Sequence, residues 1–147
     1  MSLKAQLTSD MKDAMRAKQS ERLGVIRLIL AAIKQIEVDT REELNDAAVL
    51  AVLEKQIKQR KESIRQFSEA GRDDLVAKEQ AEVDLLQPYL PEQLSDDAVD
   101  AMIDEIIKAT GAASMKDMGK VMGQLKARAA GQVDMGAAGA RIKARLG

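Results

Sequence analysis

Leu85-Leu86-Gln87-Pro88-Tyr89-Leu90-Pro91-Glu92-Gln93-Leu94-Ser95-Asp96-Asp97 divides a chain that otherwise reads almost continuously as helix. Its two prolines are the only ones among 147 residues. The residue before a proline is sterically pushed away from helical backbone, so a joint is expected over Pro88 to Pro91. Ser95 followed by Asp96 and Asp97 then reads as a helix start, a hydroxyl cap with acids in the first turn. The expected organisation is two domains, residues 1–90 and residues 91–147.

Working back from the joint, four helices are expected. Leu3, Leu7, Met11 and Ala14 recur at helical spacing behind a Ser2 cap. Ser20 is read as the cap of a second helix with the stripe Leu23, Ile26, Leu30, Ile33 and Ile36. Asp39 to Asn45 is polar and aperiodic, hence a loop. Asn45 caps a third helix with Leu50, Leu53, Ile57, Ile64 and Phe67 on one seam, ended by Gly71 in a left-handed conformation. A fourth helix starts at Asp73, buries Leu75, Val76, Val83 and Leu86, and stops before Pro88. Spacings of three and four are those of helices packed nearly antiparallel.

Forward of the joint, three shorter helices are expected. One carries Val99, Met102, Ile103, Ile106 and Ile107 as far as Gly111. Ser114 and Asp117 have the form of a capping box for the next, which carries Met115, Met118, Met122 and Leu125 and is broken at Gly131. Asp134 caps the last. The fold class is therefore all-α, a four-helix bundle-like domain followed by a small three-helix module.

Composition excludes much chemistry. The chain has no His and no Cys, which removes imidazole and thiolate catalysis and ordinary zinc sites. Its serines read as caps or exposed helix positions, and no phosphate loop or dinucleotide fingerprint is present. No catalytic residue, metal or cofactor is expected. Phe67 and Tyr89 are the only aromatic residues, too few for a base-stacking platform. The longest apolar run, Val25 to Ile33, is too short to span a bilayer, and no secretory signal is visible. No membrane association and a cytoplasmic location are expected.

The strongest functional signal lies in Ser114–Gly147. Seven basic residues (Lys116, Lys120, Lys126, Arg128, Arg141, Lys143 and Arg145) stand against Asp117 and Asp134, a local charge of +5 in a chain whose net charge is −1. Six of the nine glycines lie there too, among them Gly119, Gly123, Gly136 and Gly139 within helical stretches. Glycine in a helix interior costs about 1 kcal/mol relative to alanine. Basic charge beside bare backbone suits a phosphate-bearing partner. The plainer reading is a solvated face whose last-turn cations complement the helix dipole.

Three other patterns have plain readings that outweigh functional ones. Asp96, Asp100 and Asp104 line one helix face and read as solvated, although the stripe could orient a polyanion by repulsion. Lys55, Lys58, Arg60, Lys61 and Arg65 alternate with Glu54 and Glu62, which predicts intrahelical pairs such as Glu54 to Lys58. Met115, Met118 and Met122 read as core beside glycines that permit close helix packing.

Several of these stretches resemble YqeY-like proteins: Leu23-Gly-Val-Ile-Arg27-Leu-Ile-Leu-Ala-Ala-Ile-Lys34, Ile57-Lys-Gln-Arg-Lys-Glu-Ser-Ile64, Ala70-Gly71-Arg72, Tyr89-Leu-Pro-Glu-Gln-Leu94, and Met118-Gly-Lys-Val-Met122 with Gly131 and Asp134. The resemblance implies a helical bundle and a C-terminal three-helix module similar to the tail of GatB, a subunit of the glutamine-dependent amidotransferase acting on mischarged aminoacyl-tRNA. It implies an accessory tRNA-binding role without an active site of its own. The nucleic-acid-binding residues expected are Lys116, Lys120, Lys126, Arg128, Gly131, Arg141, Lys143 and Arg145. Where the family commonly has a basic residue on each side of the glycine, this chain has Ala130 and Gln132. Weaker and less salt-sensitive binding is the expected consequence. Alternative expectations are a protein-interaction adaptor, with a protein partner in aminoacyl-tRNA synthesis, and a non-catalytic component of a carbon-nitrogen ligase using glutamine as amido-N donor.

Overall fold

A computed structural model describes residues 2–147. The chain is all-helical, with no strand among the described residues. The elements are α1 (Leu3–Arg16), α2 (Ser20–Thr40), α3 (Asp46–Glu69), α4 (Asp73–Leu86), α5 (Asp96–Thr110), α6 (Met118–Arg128) and α7 (Met135–Leu146). Short 3₁₀ turns occupy Gln87–Tyr89 and Met115–Asp117. The helices gather into two compact units, one running to Leu90 and the other from Pro91 to Gly147.

In the first unit α1 packs on α2 and α3 on α4, with α3 also touching α1 and α2. Ser2 caps α1 through its hydroxyl, which accepts from the Ala5 N–H, and Asn45 caps α3 by accepting from Ala48. Ser20 is no cap: it is the first residue of α2, which Gln19 precedes without a side-chain cap bond. The core joins Leu7, Ile26, Ile29, Ile33, Val49, Leu53, Ile57, Val83 and Leu86. A period of 3.6 brings Val25 and Ile29 into the α2 seam, while Ile36, expected inside and on that same face, is 37% exposed near the C-terminal end of the helix. Similarly, Val49 and Val52 are buried in α3, whereas Leu50, Ile64 and Phe67 are only partly so.

The helix α2 extends one residue past Asp39, where a loop was expected. Local bonds carry it on: Gln35 donates to the Asp39 carboxylate and the Thr40 hydroxyl to the Ile36 carbonyl. Glu37 then receives both the Lys4 ammonium at 2.8 Å and the Leu44 N–H at 2.9 Å. Its carboxyl is held below the ordinary range, first by the Lys4 bond and then by the Leu44 N–H.

Pro88 departs from the expected joint in one respect. Gln87 keeps helical backbone, and Pro88 sits in a 3₁₀ turn directly after α4. Proline is compatible with such a position because its fixed φ suits a helical turn and its missing N–H leaves no ladder bond broken. Extension begins at Leu90, just ahead of Pro91. Tyr89 and Leu90 pack on the first core, and the Tyr89 hydroxyl donates to the Asp10 carboxylate. Burial, then that carboxylate, pushes the phenol's pKa up.

In the second unit α5, α6 and α7 enclose Val99, Ile103, Ile106, Val121, Leu125, Ala138, Ile142 and Leu146. Ser95 caps α5 and Asp134 caps α7, each accepting backbone N–H bonds as expected. The capping box at Ser114 does not close. Ser114 makes no side-chain cap bond, and Asp117 accepts instead from the Ala113 N–H at 3.0 Å. A 3₁₀ turn results, and α6 begins three residues later than Met115.

Candidate nucleic-acid interface

The acidic stripe of α5 and two arginines of α7 have the same four-residue spacing, and they meet. Arg141 Nη2 lies 3.1 Å from Asp96 Oδ2, and its Nη1 lies 2.8 Å from Asp100 Oδ1. Arg145 Nη2 lies 3.3 Å from Asp100 Oδ1, and its Nε lies 2.6 Å from Asp104 Oδ1. The Arg141 hydrogen bond holds the Asp100 carboxyl below its ordinary value, with Arg145 adding to the effect. The aspartates therefore form a ladder between α5 and α7; Asp96 and Asp104 stay solvent-exposed, as expected, but the stripe is paired with arginine rather than free. Arg141 and Arg145 are within the structure's own ion pairs. Arg128 also faces a carboxylate, with Nη1 3.7 Å from Glu105 Oε2.

The ladder changes the charge of the module. Residues 91–147 contain eight acids and eight bases, so the unit is neutral even though its last two helices are basic. Lys116, Lys120, Lys126 and Lys143 are exposed and make no ion pair among the described residues. Lys120 and Lys126 lie on either side of the outward face of α6, opposite buried Val121 and Leu125, and Lys116 lies in the 3₁₀ turn just before that helix. Gly119 and Gly123 lie on that outward face, and a Cβ built on either meets nothing within 4 Å. They leave helix backbone open to solvent between lysines.

Gly139 serves differently. Its Cβ position lies 3.7 Å from the Met118 and Met122 methyls, so here the small residue does sit against the methionines. Met118 and Met122 join the core, but Met115, expected with them, is 41% exposed in the 3₁₀ turn.

Gly131 holds a left-handed turn (φ 76°) after α6. The Leu94 N–H donates to the Gln132 carbonyl at 2.9 Å, and the Gln93 amide donates to the Gly131 carbonyl. The Gln132 side chain donates to the Glu92 carbonyl at 3.2 Å. Gln132 thus clips the turn to the segment before α5, and Ala130 beside it is exposed.

A family model described as Yqey-like protein matches residues 4–146. The chain belongs to the YqeY-like family. Among its curated relatives, a protein of Pyrenophora tritici-repentis named "Altered inheritance of mitochondria protein 41, mitochondrial" is 38% identical over 130 residues, covering 84% of this chain and 71% of its own length. The protein of the same name in Eremothecium gossypii is 45% identical over 87 residues, 58% of this chain and 48% of its own. An uncharacterised protein of Schizosaccharomyces pombe is 33% identical over 94 residues, 64% of this chain and 76% of its own.

Elsewhere, the basic face of α3 in this YqeY-like chain carries intrahelical pairs as expected, though not the one between Glu54 and Lys58. Arg65 lies between Glu62 and Glu69, and Arg60, only 8% exposed, reaches Glu82 of α4 at 3.5 Å. Arg60 also donates to the Gln56 side chain and carbonyl, leaving its Nε without a partner. No group of three or more His, Cys, Asp or Glu among the described residues is placed to hold a metal ion. No helix among them is long and apolar enough to cross a membrane.

Proposed function

We propose that this YqeY-like chain is an accessory tRNA-binding protein that contacts the phosphate backbone through its C-terminal module. The observation carrying the reading is the outward side of α6, where exposed lysines without carboxylate partners flank open glycine backbone. Lys116, Lys120, Lys126 and Lys143 are the principal contacts, because a phosphate reaching Arg141 or Arg145 would first have to displace an aspartate. Gly131 shapes the adjoining turn. Recognition by charge and shape also suits a chain with two aromatic residues.

Filter binding of total tRNA across a salt series tests this. Each phosphate neutralised contributes a slope of about −0.7 to −0.9 in log K against log salt, so Lys120→Glu with Lys126→Glu should flatten the slope by about 1 to 2. Arg141→Gln, made separately, should leave the slope nearly unchanged. Salt-independent wild-type binding, or equal binding by the double lysine variant, defeats the reading. We place this role in a compartment that carries out translation, either the cytoplasm expected from the residues or the mitochondrion in the names of the fungal relatives; fractionation of the tagged protein distinguishes them.

A further inference from the structure

The outer side of α2 carries a pattern that the four-helix core does not use. Gly24, Leu28, Ala31, Gln35 and Val38 recur at alternating spacings of four and three, the period of a helix–helix seam. All five are exposed, on the side of the helix away from buried Ile26, Ile29 and Ile33. Leu28 is 47% exposed and Val38 60%, among the most exposed large apolar side chains described. A Cβ at Gly24 meets nothing within 4 Å, so a neighbouring backbone has room to approach. The strip from Gly24 to Val38 is about 21 Å long at the helical rise.

Its two edges differ in charge. Arg27 and Lys34 follow one edge, both exposed and neither in an ion pair among the described residues. The other edge carries Glu21, Ala32 and Asp39, and Asp39 already accepts the Gln35 amide. An antiparallel second copy of α2 would set the Arg27 and Lys34 edge against itself. A parallel copy would bring Lys34 to Asp39 but leave Arg27 opposite Ala32. Only Leu28 and Val38 would supply large apolar contacts in either case. A partner helix with acidic side chains along its flank satisfies both cations and fills the seam with larger apolar residues than this chain offers itself.

We propose that the outer face of α2 docks an amphipathic helix of a partner protein, one with apolar residues at alternating spacings of three and four and Asp or Glu along the flank that meets Arg27 and Lys34. The surface lies in the first unit and is independent of the lysines assigned to tRNA.

The probe is a fluorescein-labelled, stapled three-heptad helix with Leu at the seam and Glu on the flanks, titrated into the full chain by fluorescence anisotropy. Its twin has Lys on the flanks. The Glu form should bind about tenfold more tightly than the Lys form, since two favourable rim contacts replace two repulsive ones. Arg27→Glu with Lys34→Glu should reverse that preference, and Leu28→Ser with Val38→Ser should abolish binding of both peptides. Circular dichroism checks that each variant retains its helix content. Equal affinity for the two peptides, no binding of either, or binding that survives Leu28→Ser with Val38→Ser overturns the proposal. So does a wild-type dimer in sedimentation equilibrium that the same double substitution converts to monomer, because the strip would then belong to a second copy of the chain.

Discussion

Replacing Gly119 and Gly123 with alanine should make the C-terminal unit more stable. Both glycines lie in α6, Gly119 in its first turn and Gly123 at its middle, and neither has a positive φ. An added methyl at either meets nothing within 4 Å, so packing sets no opposing cost. Alanine exceeds glycine by about 1 kcal/mol in a helix interior, and by less in a first turn where the backbone is only half constrained. The double variant should therefore gain about 1 to 1.5 kcal/mol. Hydrogen exchange of peptides spanning residues 118–128 should slow by about fivefold or more, since 1 kcal/mol is a factor of about five in an opening equilibrium. Unchanged or faster exchange would refute the picture of an open helix face. If RNA approaches this backbone closely, the same variant should bind tRNA less well while being more stable. Opposite signs in the two assays are the signature of glycines kept for a partner. Unchanged affinity would remove the glycines from the contact and leave the lysines.

Three further outcomes test the fold. Ile142→Ala removes a fully buried side chain from the second core and should destabilise that unit by about 2 to 5 kcal/mol in urea titration. The folded Asp100 carboxyl titrates below its ordinary 3.8, so its contribution is complete above that pH and disappears as pH falls through the lowered value. Acid unfolding below pH 3.8 should accordingly begin at higher pH in Arg141→Gln than in wild type, as followed by circular dichroism. Tyr89→Phe deletes the bond to Asp10 and should cost the first unit about 1 kcal/mol, measured by thermal unfolding.

Most of the helices were legible because their signals are local. Ser2, Asn45, Ser95 and Asp134 each cap the helix they were expected to cap, and Gly71 ends α3 with φ 69°. Errors arose where two local rules compete. Ser114 and Asp117 have capping-box spacing, yet the aspartate is taken by the Ala113 N–H. Ser20 looks like a cap, but the left-handed backbone at Lys18 turns the chain early enough for helix to begin at Ser20 itself.

The candidate site was less legible, because sequence charge does not say which opposite charges meet. Arg141 and Arg145 counted toward a basic tail until α5 supplied Asp96, Asp100 and Asp104. A signal was present in the matched four-residue spacing of opposite charges on two helices. Read as a pair, the two rows predict an interhelical ladder. Arg60 offered no such signal: a cation within an otherwise solvated run gives no hint that it turns inward toward Glu82.

The clip joining Glu92, Gln93 and Leu94 to Gly131 and Gln132 bears on how the module is bounded. A helix-based boundary would start it at Ser95, where the cap lies. The three bonds show that its true N-terminal edge is a stretch of non-helical chain, and that this edge closes the α6–α7 turn from outside. A fragment cut at Ser95 keeps every helix of the module and its fully buried residues, yet it loses Leu94, which packs on that core, and the brace on its own last corner. Grafting this module onto another protein therefore requires the cut at Pro91, with the residues that look like spacer retained as a structural part.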